Sequence, residues 1–185
     1  MVGDRPVTTP WRETIRLGEV GRPTSSGPVE RRLAPDEKTR KALAKFLDLE
    51  SLEALEATVR LTPWFDGAQL NGRWSAAFTQ LCGVTLEPLD RTLSGDFTVH
   101  VVPANSKHAP TELEPEVVLD PEGDDPPDVL EDETIDLAGY VIEHFVLDID
   151  PFPRAPGAEF KPPDPDPEAS PFAKLAGWKG GKSQS

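Results

Sequence analysis

Four side chains in this sequence have the chemistry to ligate a transition metal or, for the thiol, to attack an electrophile: Cys82, His100, His108 and His144. None of them stands at the short spacings of zinc sites, and His108 falls in a loop-like stretch. A lone cysteine is expected to be a small buried apolar residue. No helix N-terminus or basic cluster in the neighbouring sequence would lower its pKa. His144 follows Glu143 on a helical pattern, off the apolar row, and is expected to face solvent. The carboxylate pair Asp124-Asp125 lies in a polar run with nothing nearby to shift a pKa. Asp148 and Asp150 flank a helix end, where negative charge is unfavourable, and Arg154 offsets it locally. GxSxG, GxxxxGKS and GxGxxG are absent from the sequence. The expectation is therefore a chain that is not an enzyme, with no catalytic residues, no metal and no cofactor.

Charge is the next chemical signal. The 185 residues carry a net charge of −14, unevenly placed. Residues 1–45 hold ten Lys/Arg against six Asp/Glu, and residues 104–136 hold twelve Asp/Glu against one Lys. An acidic chain repels a phosphate backbone on average, so nucleic-acid contact needs a local basic face. The dense set is Arg31, Arg32, Lys38, Arg40, Lys41 and Lys45. Lys38, Lys41 and Lys45 recur at steps of three and four, so they share one face of a helix. Arg31 and Arg32 precede that helix and are expected to extend its basic patch. The alternative for these charges is a solvated helix face.

These residues must be held by elements that the patterning outlines. Leu137, Val141, Phe145 and Ile149, with Ala138, Ile142 and Val146 beside them, predict a helix with a wide apolar face. Asp136 or Thr134 caps its start, and Pro151 ends it. Ala34 to Leu49 predicts a second helix, capped by Asp36, with Leu43, Phe46 and Leu47 inward. Trp11 to Leu17 alternates and predicts an edge strand, and residues 18–33 read as loop. Leu52 to Leu61 is ambiguous between helix and strand, with a strand from Glu53 favoured. A hairpin turn at Phe65-Asp66-Gly67-Ala68, with Gly67 able to take positive φ, leads to a strand over Gln69–Thr79. That strand carries Leu70, Gly72, Trp74, Ala76 and Phe78 on one face. A third strand, Leu89–Val102, completes a meander. Residues 104–133 predict a mobile acidic loop, with a short strand at Val117–Leu119 allowed. Residues 158–169 predict an extended tail, and Pro171 to Trp178 a short docking turn. Trp74 is expected in the core, and Trp11 and Trp178 either anchor the two ends or face a partner. The single cysteine excludes an intrachain disulfide. No apolar run reaches the ~18–20 residues of a membrane span, and the N-terminus lacks the apolar core of a secretion signal, so a cytoplasmic protein is expected.

Three segments resemble signatures of the YceD family, the large ribosomal RNA subunit accumulation proteins. FTQLCGVTLEPL (Phe78 to Leu89) resembles the central one. IDLAGYVIEHFVLDIDPFPRAPGAEF (Ile135 to Phe160) resembles the helical one, in the form common in α-proteobacteria. SPFAKLAGWK (Ser170 to Lys179) resembles the C-terminal end, and PWRETIRLGEV near the N-terminus also fits. On this resemblance the family-motif residues are Cys82, Thr85, Glu87, Pro88, Asp136, Leu137, Glu143, Asp150, Pro151, Pro153, Pro171, Phe172, Ala173 and Leu175. Many members carry CxxC where this chain has Cys82 and Thr85, so no metal or dithiol role carries over. The resemblance implies a non-catalytic factor for accumulation or processing of large-subunit (23S) ribosomal RNA.

The combined expectation is one α+β domain over residues 1–157 and an extended tail over 158–185, with a docking segment at 170–179. The fold is an antiparallel β-meander or partly closed sheet packed by a C-terminal helix, with an N-terminal helix. The expected partner is large-subunit ribosomal RNA or its precursor, or a basic ribosomal protein or enzyme recruited by an acidic adaptor. No membrane or DNA partner is expected.

Overall fold

Alternating apolar and polar residues in the middle of the chain build long paired strands, because successive side chains of a strand point to opposite faces. A computed structural model describes residues 9–20, 27–110 and 125–160. In chain order the elements are β1 (Thr14–Arg16), α1 (Leu17–Val20), β2 (Val29–Leu33), α2 (Glu37–Phe46) and β3 (Ser51–Trp64). They continue with β4 (Gly67–Leu81), β5 (Pro88–Pro103), β6 (Asp128–Leu130), β7 (Thr134–Asp136) and α3 (Leu137–Asp148). The main sheet runs β2-β3-β4-β5-β6, and β1 pairs with β7 in a separate two-stranded sheet. All neighbours are antiparallel except β5 and β6, which are parallel. The fold is α+β as expected. The meander β3-β4-β5 is its centre, and the sheet stays open rather than closing.

The inner face of the sheet carries Val59, Leu61, Leu70, Trp74, Ala76, Phe78, Phe97 and Val101, all buried. Helix α3 lies on it. Asp136 caps α3 by accepting from Gly139 N–H, as the sequence predicts, and the helix ends before Pro151. Leu137, Ala138, Val141, Ile142 and Phe145 are buried, and the Phe145 ring meets Trp74 and Phe78 edge-on at centroid distances of 5.4 and 5.3 Å. The apolar stripe is narrower than expected. Val146 is exposed on α3, and Ile149, the residue after the helix, is half-buried.

Several expectations need correction. The alternating stretch at Trp11–Leu17 is a strand only over Thr14–Arg16. It pairs with β7, placing Ile15 opposite Ile135, both buried. Residues 18–33 are not all loop: α1 ends in them, and β2 adds an edge strand to the sheet. Helix α2 spans Glu37–Phe46, with Asp36 capping it through Thr39 N–H at 2.7 Å. Its inward residues are Leu43 and Ala44, while Phe46 is exposed. The β3–β4 turn is Phe65-Asp66, with Trp64 paired to Gly67. Positive φ falls on Phe65 (51°), not on Gly67. Gly67 is needed for another reason: a Cβ there would overlap the carbonyl oxygen of Val101 on β5. Within the expected acidic loop, residues 128–130 form β6 and bury Leu130. Val117–Leu119, most of the 158–185 tail and the 170–179 segment lie outside the described residues. Trp11 is buried and anchors the N-terminal side.

Candidate nucleic-acid interface

The six basic residues picked out in the sequence divide between two elements. Lys38, Arg40, Lys41 and Lys45 are on α2, and Arg31 and Arg32 are on β2. Lys38, Lys41 and Lys45 are exposed on the helix. Lys41 is paired with Glu37 at 2.6 Å, an exposed i,i+4 pair that holds the Glu37 carboxyl below its usual range through that hydrogen bond and charge. Arg40 is half-buried and donates to the Pro35 carbonyl at 2.9 Å. Arg31 and Arg32 are consecutive on a strand, so they point to opposite faces and do not jointly extend the helix patch.

Arg32 instead joins a second polar surface that sequence reasoning missed. The register places Arg32 opposite Thr58, Thr58 opposite Arg73, and Arg73 opposite Asp96. One row further, Glu30, Arg60, Asn71 and Thr98 are in line. All face away from α3, since their strand neighbours form the buried face. All of them except Arg32 border a shallow trough of about 610 Å³, and Arg32 borders an adjoining depression together with Thr58 and Arg73. Among the described residues the ion pairs are Arg12–Asp136 and Lys41–Glu37. Arg32, Arg60 and Arg73 thus have no carboxylate within salt-bridge distance there, although Glu30 and Asp96 share the face. The signal was present in the sequence: Thr58, Arg60 and Thr62, and Asn71, Arg73 and Ser75, are the outward positions of two alternating strands.

At the end of this face the β3–β4 turn gathers four rings. Trp64 stacks on His100 (centroids 4.3 Å, planes 26° apart), and Phe65 stacks on His108 (4.0 Å, 12°). Trp64 and Phe65 meet edge-on at 4.6 Å. The turn is fastened to the segment after β5 by Ser106 Oγ, which bonds Asp66 Oδ1 at 2.8 Å and accepts from His108 N–H at 2.9 Å. Phe65 is 58% exposed, so its ring gains little burial in return for a left-handed backbone. A bulky residue at positive φ costs on the order of 1–3 kcal/mol.

The family model for the large ribosomal RNA subunit accumulation protein YceD matches residues 70–177. The chain belongs to the YceD family. No curated protein and no solved structure gives a significant match. The YceD match takes in the central and helical signatures and nearly all of the C-terminal one; PWRETIRLGEV lies before it.

Within the described residues the two YceD signatures meet in space. Gly83 N–H donates to the Pro153 carbonyl at 2.8 Å, and Gln80 Nε2 donates to the Asp150 carbonyl at 3.0 Å. The β4–β5 turn closes with Cys82 N–H to the Glu87 carbonyl at 2.8 Å, after which Pro88 begins β5. Thr85 Oγ1 donates to Glu87 Oε2 at 3.1 Å. Cys82 is buried, as expected, but its pKa is not ordinary. Hydrogen bonds from Thr85 and from the backbone N–H groups of Ala155, Thr85 and Val84 bring the thiol down to about 6, with burial acting in the opposite direction. Val84 and Thr85 stand in the adjoining sequence, but Ala155 arrives from a distant segment that the neighbouring residues do not reveal. Glu143 is exposed on α3, and Pro171, Phe172, Ala173 and Leu175 lie outside the described residues.

The three histidines are not brought together as ligands. His144 is half-buried rather than solvent-facing. It stacks on Phe97 (4.3 Å, 19°), with Nδ1 2.9 Å from the Tyr140 carbonyl oxygen. Among the described residues no group of three His, Cys, Asp or Glu is placed to hold a metal ion. No helix among them is long and apolar enough to cross a membrane.

Proposed function

We propose that this chain is a non-catalytic factor that supports accumulation and processing of large-subunit (23S) ribosomal RNA by contacting that RNA directly, in the cytoplasm. The observation that carries this is membership of the YceD family across residues 70–177. The exposed lysines of α2 and the exposed arginines on the sheet face turned away from α3 support it, because each can neutralise a phosphate in a chain that otherwise repels one. No membrane or DNA partner is part of the proposal.

Binding should weaken with salt, at a slope of about −0.7 per phosphate contact for a single strand. Changing Lys38, Lys41 and Lys45 together to Glu should weaken binding to large-subunit RNA and flatten that slope, with the circular dichroism spectrum unchanged. The net charge of −14 favours a second reading, an acidic adaptor that recruits a basic ribosomal protein or enzyme without touching RNA. The adaptor is favoured if the parent chain shows no salt-dependent RNA binding and instead retains such a protein. If the triple variant binds RNA as tightly as the parent at about 50 mM and about 200 mM salt, α2 is only a solvated face.

A further inference from the structure

We infer that the ring cluster at the β3–β4 turn is a stacking site for unpaired bases of ribosomal RNA, continuous with a phosphate track over the face of the sheet turned away from α3. This rests on the RNA-contact reading above and names the surface and the form of RNA it takes. Three observations carry it. First, the rings are not core. Trp64 and Phe65 stand outside the buried hydrophobic cluster, and Phe65 is largely exposed. Second, the turn is strained to present the ring. Phe65 sits at φ 51°, where Asn or Gly would be more comfortable, and the Ser106–Asp66 bond holds the turn in place. An outlier kept at a ring that stays largely exposed, with one face on His108 and the rest open, points to a binding role. Third, the rings adjoin cations. Arg60 and Trp64 are four residues apart on β3 and so share a face. Lys107 is exposed beside His108.

Aromatic platforms beside a positive groove are how proteins hold single strands without reading every base. In an A-form duplex the base faces are already stacked on one another and out of reach of side chains, so this site selects loops, bulges and ends. Along the strand, Arg60, Arg73 and Arg32 meet phosphates. Thr62, Gln69 and Asn71, between them and the rings, offer hydrogen bonds to sugars and base edges.

Phe65→Asn tests this without threatening the fold, because Asn accepts the left-handed backbone better than Phe. The full chain is titrated with fluorescein-labelled single-stranded RNA of roughly 12 nucleotides and with a hairpin duplex of similar length. The parent should prefer the single strand. Phe65→Asn should weaken single-strand binding by about 5-fold to about 150-fold, the range for losing one stacked base, and change duplex binding little. Binding should quench tryptophan fluorescence, and Trp64→Phe should remove most of that quenching. If the parent binds RNA and Phe65→Asn binds the single strand equally well, the stacking site is overturned while the RNA reading stands. The same holds if the variant loses single strand and duplex alike. If the parent binds neither RNA, both the site and the reading fall.

Discussion

The sulfur of Cys82 accepts a hydrogen bond from the backbone N–H of Ala155 at 3.3 Å, across 73 residues of sequence. The contact joins the β4–β5 turn to the proline-rich exit from α3. It also explains the company of Pro151 and Pro153. They hold the exit extended, so that the Pro153 carbonyl meets Gly83 N–H and Ala155 N–H reaches the sulfur. A second thiolate is not needed to close this corner. Thr85 N–H also donates to Cys82 Sγ, at 3.4 Å.

This corner should be pH-sensitive. The folded pKa of Cys82, about 6, lies below the ordinary thiol value. Its hydrogen-bonded thiolate therefore contributes stability that is fully present above the unfolded pKa, near 9, and lost as pH falls through about 6. In urea melts the stability gap between the parent and Cys82→Ala should widen steadily from about pH 6 to about pH 9. A constant gap would mean that the sulfur stays protonated in the native state.

Phe145 is fully buried between Trp74 and Phe78 at the junction of α3 and the sheet. Phe145→Ala should cost about 3–5 kcal/mol, the usual loss for deleting a buried aromatic ring. Denaturant unfolding measures it. A loss under about 1 kcal/mol would show that the helix face repacks without the ring.

Asp136 has two tasks. Its Oδ1 accepts from Gly139 N–H and from Glu13 N–H, each at 3.3 Å, which caps α3 and ties in the N-terminal strand. Its Oδ2 faces Arg12 Nε at 3.3 Å in an exposed pair. Asp136→Ala should cost about 1–2 kcal/mol through the lost cap. Asp136→Asn keeps an acceptor and loses only the exposed charge pair, so it should stay within about 1 kcal/mol of the parent. Equal losses in the two variants, read from thermal melts, would place the stabilisation in the charge.

Replacing residues 111–124 with a short Gly/Ser linker should leave the dispersed amide spectrum of the core intact. Extending the replacement to residue 133 should not. It removes β6, buried Leu130, and the 2.8 Å bond from Tyr140 Oη to Asp128; burial, and then this bond, hold the tyrosine pKa above its usual value. If both replacements give the same spectrum, β6 contributes nothing to the fold.

The sequence by itself determined what local periodicity can express. The strands β4 and β5 follow from alternation, and α3 from apolar steps of three and four between Asp136 and Pro151, while for β3 the pattern favours a strand over a helix and only pairing with β4 decides it. The YceD signatures follow from residue identity alone. Where strands pair was decided by tertiary structure. Val29–Leu33 contains only two apolar residues and reads as loop until β3 supplies its hydrogen bonds. Asp128–Leu130 is three residues long and depends on parallel pairing with β5. The basic set looked contiguous in sequence, but a strand turns Arg31 and Arg32 to opposite faces. Register alone aligns Arg32 with Arg73 through Thr58. Cys82 looked inert because the N–H that most changes its environment after Thr85 belongs to Ala155. Hydrogen bonds of that kind are set by where the chain returns, and no pattern of neighbouring residues encodes them.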